Sequence, residues 1–196
     1  MLLKRIVAVA ALAICTAAGA QMGGAPSLGA VGSAANPAKA IDIMLTLYEQ
    51  EAMGAVKAMP SDKFSFAPTH ATFAATQGEK FEGVRTFAQQ AAHVAQANYF
   101  FFATVSGLKP EADMKGMAKL TDKDAIVAAL AGSFAFGHKA IATITKENAF
   151  TVIKGADGLD TRATLATFAV AHGFDHYGQM VEYLRMNGII PPASAK

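Results

Sequence analysis

Apolar positions recur every three or four residues in four separate stretches of the chain, and each stripe predicts one face of a helix. The first carries Ile41, Met44, Leu45, Tyr48, Ala52 and Val56. It is preceded by Asn36-Pro37, an N-cap followed by proline at the first helical position, and ended by Pro60. The second starts near Thr86, where Thr86 and Gln89 have the spacing of a capping box, and runs to about Val105. Its Tyr99, Phe100, Phe101 and Phe102 make it apolar on more than one side, which predicts a buried helix. Thr121 and Asp124 open a third, striped by Ile126, Val127, Leu130, Phe134, Ile141 and Ile144. The fourth is capped by Asp160 or Thr161 and aligns Leu165, Phe168, Ala169, His172, His176, Met180 and Tyr183. Asn187-Gly188 and then Pro191-Pro192 stop it.

The stretches between these stripes keep no period. Residues 61–80, with Phe64, Phe66, Pro68, His70 and Gly78, read as a long connection, as do residues 107–120 and 148–159. No alternating strand pattern is present. Four helices of roughly 20 residues joined by loops predict an all-α fold, a four-helix bundle over residues 36–194, with the threading left open by the long connections.

The N-terminus follows different rules. Lys4 and Arg5 precede a short apolar run, Ile6 to Ile14, and Ala18-Gly19-Ala20 supplies small residues before Gln21. This is the pattern of a secretory signal peptide over residues 1–20, and it predicts an exported product, periplasmic or secreted. A lipoprotein signal ending at Cys15 is the rival, but bulky Ile14 stands where a small residue is wanted. Residues 21–35, mostly Gly, Ala and Ser, read as a flexible leader. Cleavage removes two of the 17 basic residues, leaving 15 against 15 acidic ones, and with them the single cysteine. The mature chain then has no disulfide, no thiolate ligand and no cysteine nucleophile. With no basic block and no net charge, it does not suit nucleic acid. No other stretch is long and apolar enough for a membrane span.

Chemistry concentrates in the five histidines, His70, His93, His138, His172 and His176. His172 and His176, four apart on a predicted helix, project from one face and can share a divalent ion. Both lie in the core-facing stripe, where unpartnered imidazoles are costly and a metal satisfies two at once. A third ligand must come from another helix. His93, on the second helix, is the best candidate, with a core histidine bonded to a carbonyl or water as the alternative. His138 reads as a boundary residue, and His70 as a loop residue able to cap the site. The string His172-Gly173-Phe174-Asp175-His176 is neither HExxH nor a full HxxEH, and only 20 residues follow it, so a protease motif is rejected. Asp175 reads as a surface carboxylate or an outer partner of the site. The methionines form no cluster suited to copper and read as core filling.

Two strings carry a family resemblance: Val84-Arg85-Thr86-Phe87-Ala88-Gln89-Gln90-Ala91-Ala92-His93-Val94-Ala95, and His172-Gly173-Phe174-Asp175-His176-Tyr177-Gly178-Gln179. With the ending from Tyr183 to Pro192, they resemble the DinB-like (YfiT-like) family over roughly residues 36–194. The resemblance implies a four-helix bundle with a three-histidine metal site on His93, His172 and His176. It also implies homodimerisation and a metal-dependent enzyme that activates a low-molecular-weight thiol, as transferases and some isomerases of the family do. An ion with an open position can equally activate water, so the expectation is an S-transferase or hydrolase acting on a small-molecule substrate that the sequence does not name. Three imidazoles leave an open position on the ion and suit zinc, nickel, iron or copper. Tyr177 or Asp175 is expected near the pocket, while Glu49, Glu51 and Glu182 have no place fixed by sequence. Export argues against the cytosolic thiols of the family. The competing expectation is a non-catalytic exported metal-binding or interaction protein.

Overall fold

A computed structural model describes residues 28–69, 81–156 and 158–195. The expected signal peptide and His70 lie outside the described residues; of the expected leader, residues 28–34 are exposed.

Four long helices form where the stripes place them: α1 (Pro37–Ala58), α2 (Phe87–Ser106), α4 (Lys123–Ile141) and α5 (Arg162–Met186), with a single-turn α3 (Met114–Met117) in the connection between α2 and α4. Their starts are fixed by side chains that accept the unpaired first-turn amides. Asn36 caps α1 through the Lys39 amide at 3.2 Å. At α2 both arms of the capping box form, Gln89 N to Thr86 Oγ1 at 3.2 Å and Thr86 N to Gln89 Oε1 at 2.8 Å. Thr161 caps α5, paired with Thr164. At α4 the cap is Asp122, which accepts from the Ala125 amide at 2.9 Å, and not Thr121. A carboxylate is the stronger acceptor and also meets the positive end of the helix dipole. Ile144, placed by its spacing on the α4 stripe, falls beyond the helix end and is buried in the following turn.

The helices pack in a ring: α2 lies against α4 and α5, and α1 against the same two. Thus α1 and α2 are diagonal partners, as are α4 and α5, and this settles the threading. The two longest connections are those that cross a diagonal, whereas α2 reaches its neighbour α4 by a shorter path. The described start of the first crossing is anchored on α2. After a 3-10 turn at Ser61–Lys63, the carbonyls of Phe64 and Phe66 accept from the Ala88 and Phe87 amides at 2.9 and 2.8 Å, supplementing the α2 cap. Phe64 is buried against Phe87, with ring centroids 5.3 Å apart.

The second crossing corrects the sequence reading. Residues expected to be an irregular connection form an antiparallel hairpin, β1 (Val152–Ala156) and β2 (Leu159–Thr161). Gly155 is needed because a Cβ there would overlap the Leu159 carbonyl, and Gly158 adopts φ +80°. Ile153 and Leu159 of the hairpin close a small cluster formed by Val105, Ile144, Ala149, Leu165 and Ala166.

The main core runs between the four helices around Leu45, Tyr48, Phe87, Phe102, Leu130, Phe134 and Met180, all fully buried. The aromatic run on α2 is less uniformly buried than its composition suggests. Tyr99 and Phe102 are buried, but Phe100 is 52% exposed.

Candidate metal centre

Helices α2 and α5 run antiparallel, and contacts between them descend in step. Tyr183 Oη donates to the Arg85 carbonyl at 3.0 Å, Gln90 meets Gln179, and Phe101 stacks edge-on against Phe168 at 5.4 Å between centroids. That register brings His93 level with His172 and His176. The ring centroids lie 4.7 Å (His93 to His176), 5.4 Å (His93 to His172) and 4.5 Å (His172 to His176) apart. One nitrogen from each of the three can be chosen so that all lie within 4.8 Å of one another.

The Nε2 atoms of His172 and His176 are 3.2 Å apart. Two nitrogens bound tetrahedrally at about 2.0–2.1 Å from one ion are separated by about 3.3 Å. Two facing lone pairs at that distance repel unless a proton or cation lies between them. His176 is buried and its Nδ1 lies 2.9 Å from Gln90 Oε1, so the other nitrogen is the one turned to the cluster.

Electrostatics agree with the donor set. Burial lowers the pKa of His176 to about 4, helped by the neighbouring His172 and His93. Burial likewise brings His93 to about 4, with Arg85 and His172 adding to the effect. His172 is also lowered, mainly by burial, against the opposing charge of Asp175. At neutral pH His93 and His176 are therefore uncharged and keep the lone pairs a cation requires. Neutral imidazoles in a half-buried, carboxylate-free cluster fit a borderline transition-metal ion such as zinc and do not suit calcium or magnesium.

One wall of the site is aromatic. His172 packs against Phe101 and Phe168, with centroids 5.3 and 6.0 Å away, and Phe168 is 38% exposed. Beneath the histidines, Gly173 makes room for Tyr48. A Cβ at this position would overlap the Tyr48 ring, which is fully buried and packs on Phe134 at 4.9 Å. The residue that departs from the HExxH pattern is thus a packing requirement.

The remaining candidates do not join the three histidines. His138 bridges α4 to α1, with Nδ1 2.6 Å from Asp42 Oδ1 and Nε2 3.1 Å from Glu49 Oε2. Tyr177 sits beside Glu51 of α1 and against Phe174, not with the three histidines. Glu182 pairs with Arg185 at 2.6 Å. Glu49, Glu51 and Glu182 therefore all have partners away from the cluster. Asp175 is exposed and accepts from Gln179 Nε2 at 3.0 Å. Gln90 and Gln179 were not among the sequence candidates. The signal was present: Gln90 stands three residues before His93 on α2 and Gln179 three after His176 on α5, the spacing of helical neighbours.

Among the described residues no helix is long and apolar enough to cross a membrane. A comparison with curated proteins found no match. The sequence profile of the DinB superfamily, a metal-binding family, matches residues 44–180, a span that takes in both the α2 and the α5 histidines. The chain belongs to the DinB superfamily.

Proposed function

We propose that this protein is an exported metal-dependent enzyme in which His93, His172 and His176 hold one divalent ion, zinc, nickel or iron, and activate water or a thiol for hydrolysis or S-transfer. The observation that carries the proposal is the convergence of three neutral imidazoles from two helices, with a nitrogen pair at the spacing of two ligands on one ion. A divalent ion held by three nitrogens keeps an open position and acts there as a Lewis acid.

The chain's own residues supply the rest. Phe101 and Phe168 offer an apolar wall beside His172, suited to the hydrocarbon part of a small substrate. Arg85, whose positive charge is felt by all three histidines, favours an anionic group on the same substrate. With Glu49, Glu51 and Glu182 engaged elsewhere, no glutamate among these is placed to take a proton from the nucleophile. That favours a nucleophile acidic enough to ionise without a neighbouring base, a thiol before water. The export signal, in turn, favours water, since low-molecular-weight thiols are cytosolic. Homodimerisation belongs to the same proposal through the family.

Elemental analysis of the protein purified from its own compartment tests the site. Near-stoichiometric transition metal is expected in the wild type, and a large loss in His93→Ala. Unchanged metal content in that variant overturns the third ligand. Azide or a small thiol should perturb the visible spectrum of the cobalt-substituted protein; an unresponsive, saturated centre overturns the catalytic reading in favour of a structural or carrier role.

A further inference from the structure

A line of hydrogen bonds runs from the surface to the buried histidine. Gln179 Nε2 donates to Asp175 Oδ2 at 3.0 Å, Gln90 Nε2 donates to Gln179 Oε1 at 2.6 Å, and His176 Nδ1 meets Gln90 Oε1 at 2.9 Å. Each amide has one accepting and one donating end, so the line has a direction, and that direction must be set by a member that cannot reverse. An ionised carboxylate is such a member, because it accepts and has no proton to give. Asp175 draws the amide nitrogen of Gln179, which turns the Gln179 oxygen inward. That oxygen draws the Gln90 nitrogen, which turns the Gln90 oxygen onto His176.

We propose that Asp175 is a positioning residue: through the amides of Gln179 and Gln90 it holds the proton of His176 on Nδ1 and presents the Nε2 lone pair to His93 and His172. The inference rests on the metal-centre reading for its purpose, but not for its geometry. Reversing the line would put an amide N–H against His176 Nδ1, drive the ring proton to Nε2, and point that proton at the nitrogen of His172 only 3.2 Å away. The same site would then offer a proton where a cation needs a lone pair. Gln90 is buried and cannot turn to water for relief, so its orientation is decided by its partners. Tyr183, beside Gln90, spends its own proton on the Arg85 carbonyl and so does not compete to donate to the Gln90 oxygen. Outer partners that fix a ligand histidine's tautomer typically matter about 10–100-fold in metal affinity.

The test uses the full mature chain, labelled with 15N-histidine and stripped of metal, at neutral pH. The ring-nitrogen shifts of His176 should report the Nδ1-protonated tautomer in the wild type. Asp175→Asn, whose amide can face either way, should raise the Nε2-protonated population and weaken zinc binding several-fold. Asp175→Glu should keep the wild-type tautomer. Gln179→Leu cuts the line while leaving the Asp175 charge in place, and should behave like Asp175→Asn. The proposal is overturned if Asp175→Asn leaves the tautomer ratio unchanged. It is equally overturned if Gln179→Leu matches the wild type while Asp175→Asn weakens zinc, since that isolates a through-space charge effect. Should the wild type bind none of zinc, nickel and iron, the functional proposal fails, and the tautomer comparison still decides this one.

Discussion

Gly173 lies between the two α5 histidines, and its missing side chain is filled by the ring of Tyr48 from α1. Glycine inside a helix costs about 1 kcal/mol relative to alanine, so the position forgoes helix propensity for packing. Gly173→Ala would recover that propensity but drive a methyl into a fully buried aromatic ring, and overpacking of this kind costs about 1–3 kcal/mol. A net loss of stability in urea unfolding is expected. Combining it with Tyr48→Leu should give less destabilisation than the two single losses added, because the smaller side chain removes the clash. Strict additivity would show that Tyr48 is not what Gly173 accommodates. Individual residues differ in how much of this was legible. The His172/His176 pair was visible because its partner spacing lies within one helix. The need for Gly173, the Gln90 contact and the pairing of His138 were not, because each depends on a neighbour 86 to 125 positions away that only packing brings close.

At the scale of elements, α1 and α4 are joined by His138, held between Asp42 and Glu49. Burial works against its positive charge, but hydrogen bonds and attraction from the two carboxylates outweigh it, and the pKa is raised above the ordinary histidine value. The folded state therefore binds the proton more tightly than the unfolded one. The stabilisation is fully present below the unfolded pKa of about 6.5 and is lost as pH rises through the higher folded value. Denaturant unfolding of the wild type and His138→Gln should differ most in mildly acidic buffer and converge in alkaline buffer. A pH-independent difference would mean the bridge acts by packing alone. The cap of α4 and the helix boundaries at α1, α2 and α5 rest on local capping chemistry, which is why the sequence located them within a residue or two. The hairpin was missed for a different reason. Its strands are short and only half-buried, so alternation is weak, while Asp157-Gly158, a dipeptide suited to a two-residue hairpin turn, was the informative signal. The diagonal crossings belong to no local pattern, because they follow from which helix faces pair.

For the molecule as a whole, the three histidines tie α5 to α2 across the antiparallel pair that carries most of the candidate site. No disulfide is open to a chain whose single cysteine is Cys15, so covalent cross-links contribute nothing to holding these helices together. An ion gripping one histidine from α2 and two from α5 would bind the folded chain and not the unfolded one. Its free energy of binding would then add directly to the stability of the bundle. At a free zinc concentration 100 times the dissociation constant, that contribution is about 2.7 kcal/mol. For a domain of this size, about 1 kcal/mol moves the melting temperature by about 2–4 °C, so zinc should raise Tm by about 5–10 °C over the chelator-treated protein. His93→Ala removes the proposed α2 ligand and should abolish nearly all of the increase, while His138→Gln, remote from the cluster, should retain it. Equal metal-induced shifts in the wild type and His93→Ala would place the binding energy within α5 alone, and the ion would then not bridge the two helices. The comparison separates a cross-link between two helices from a site on α5 alone, which would keep the contact of His172 with Phe101 and Phe168 but add nothing to the pairing of α5 with α2.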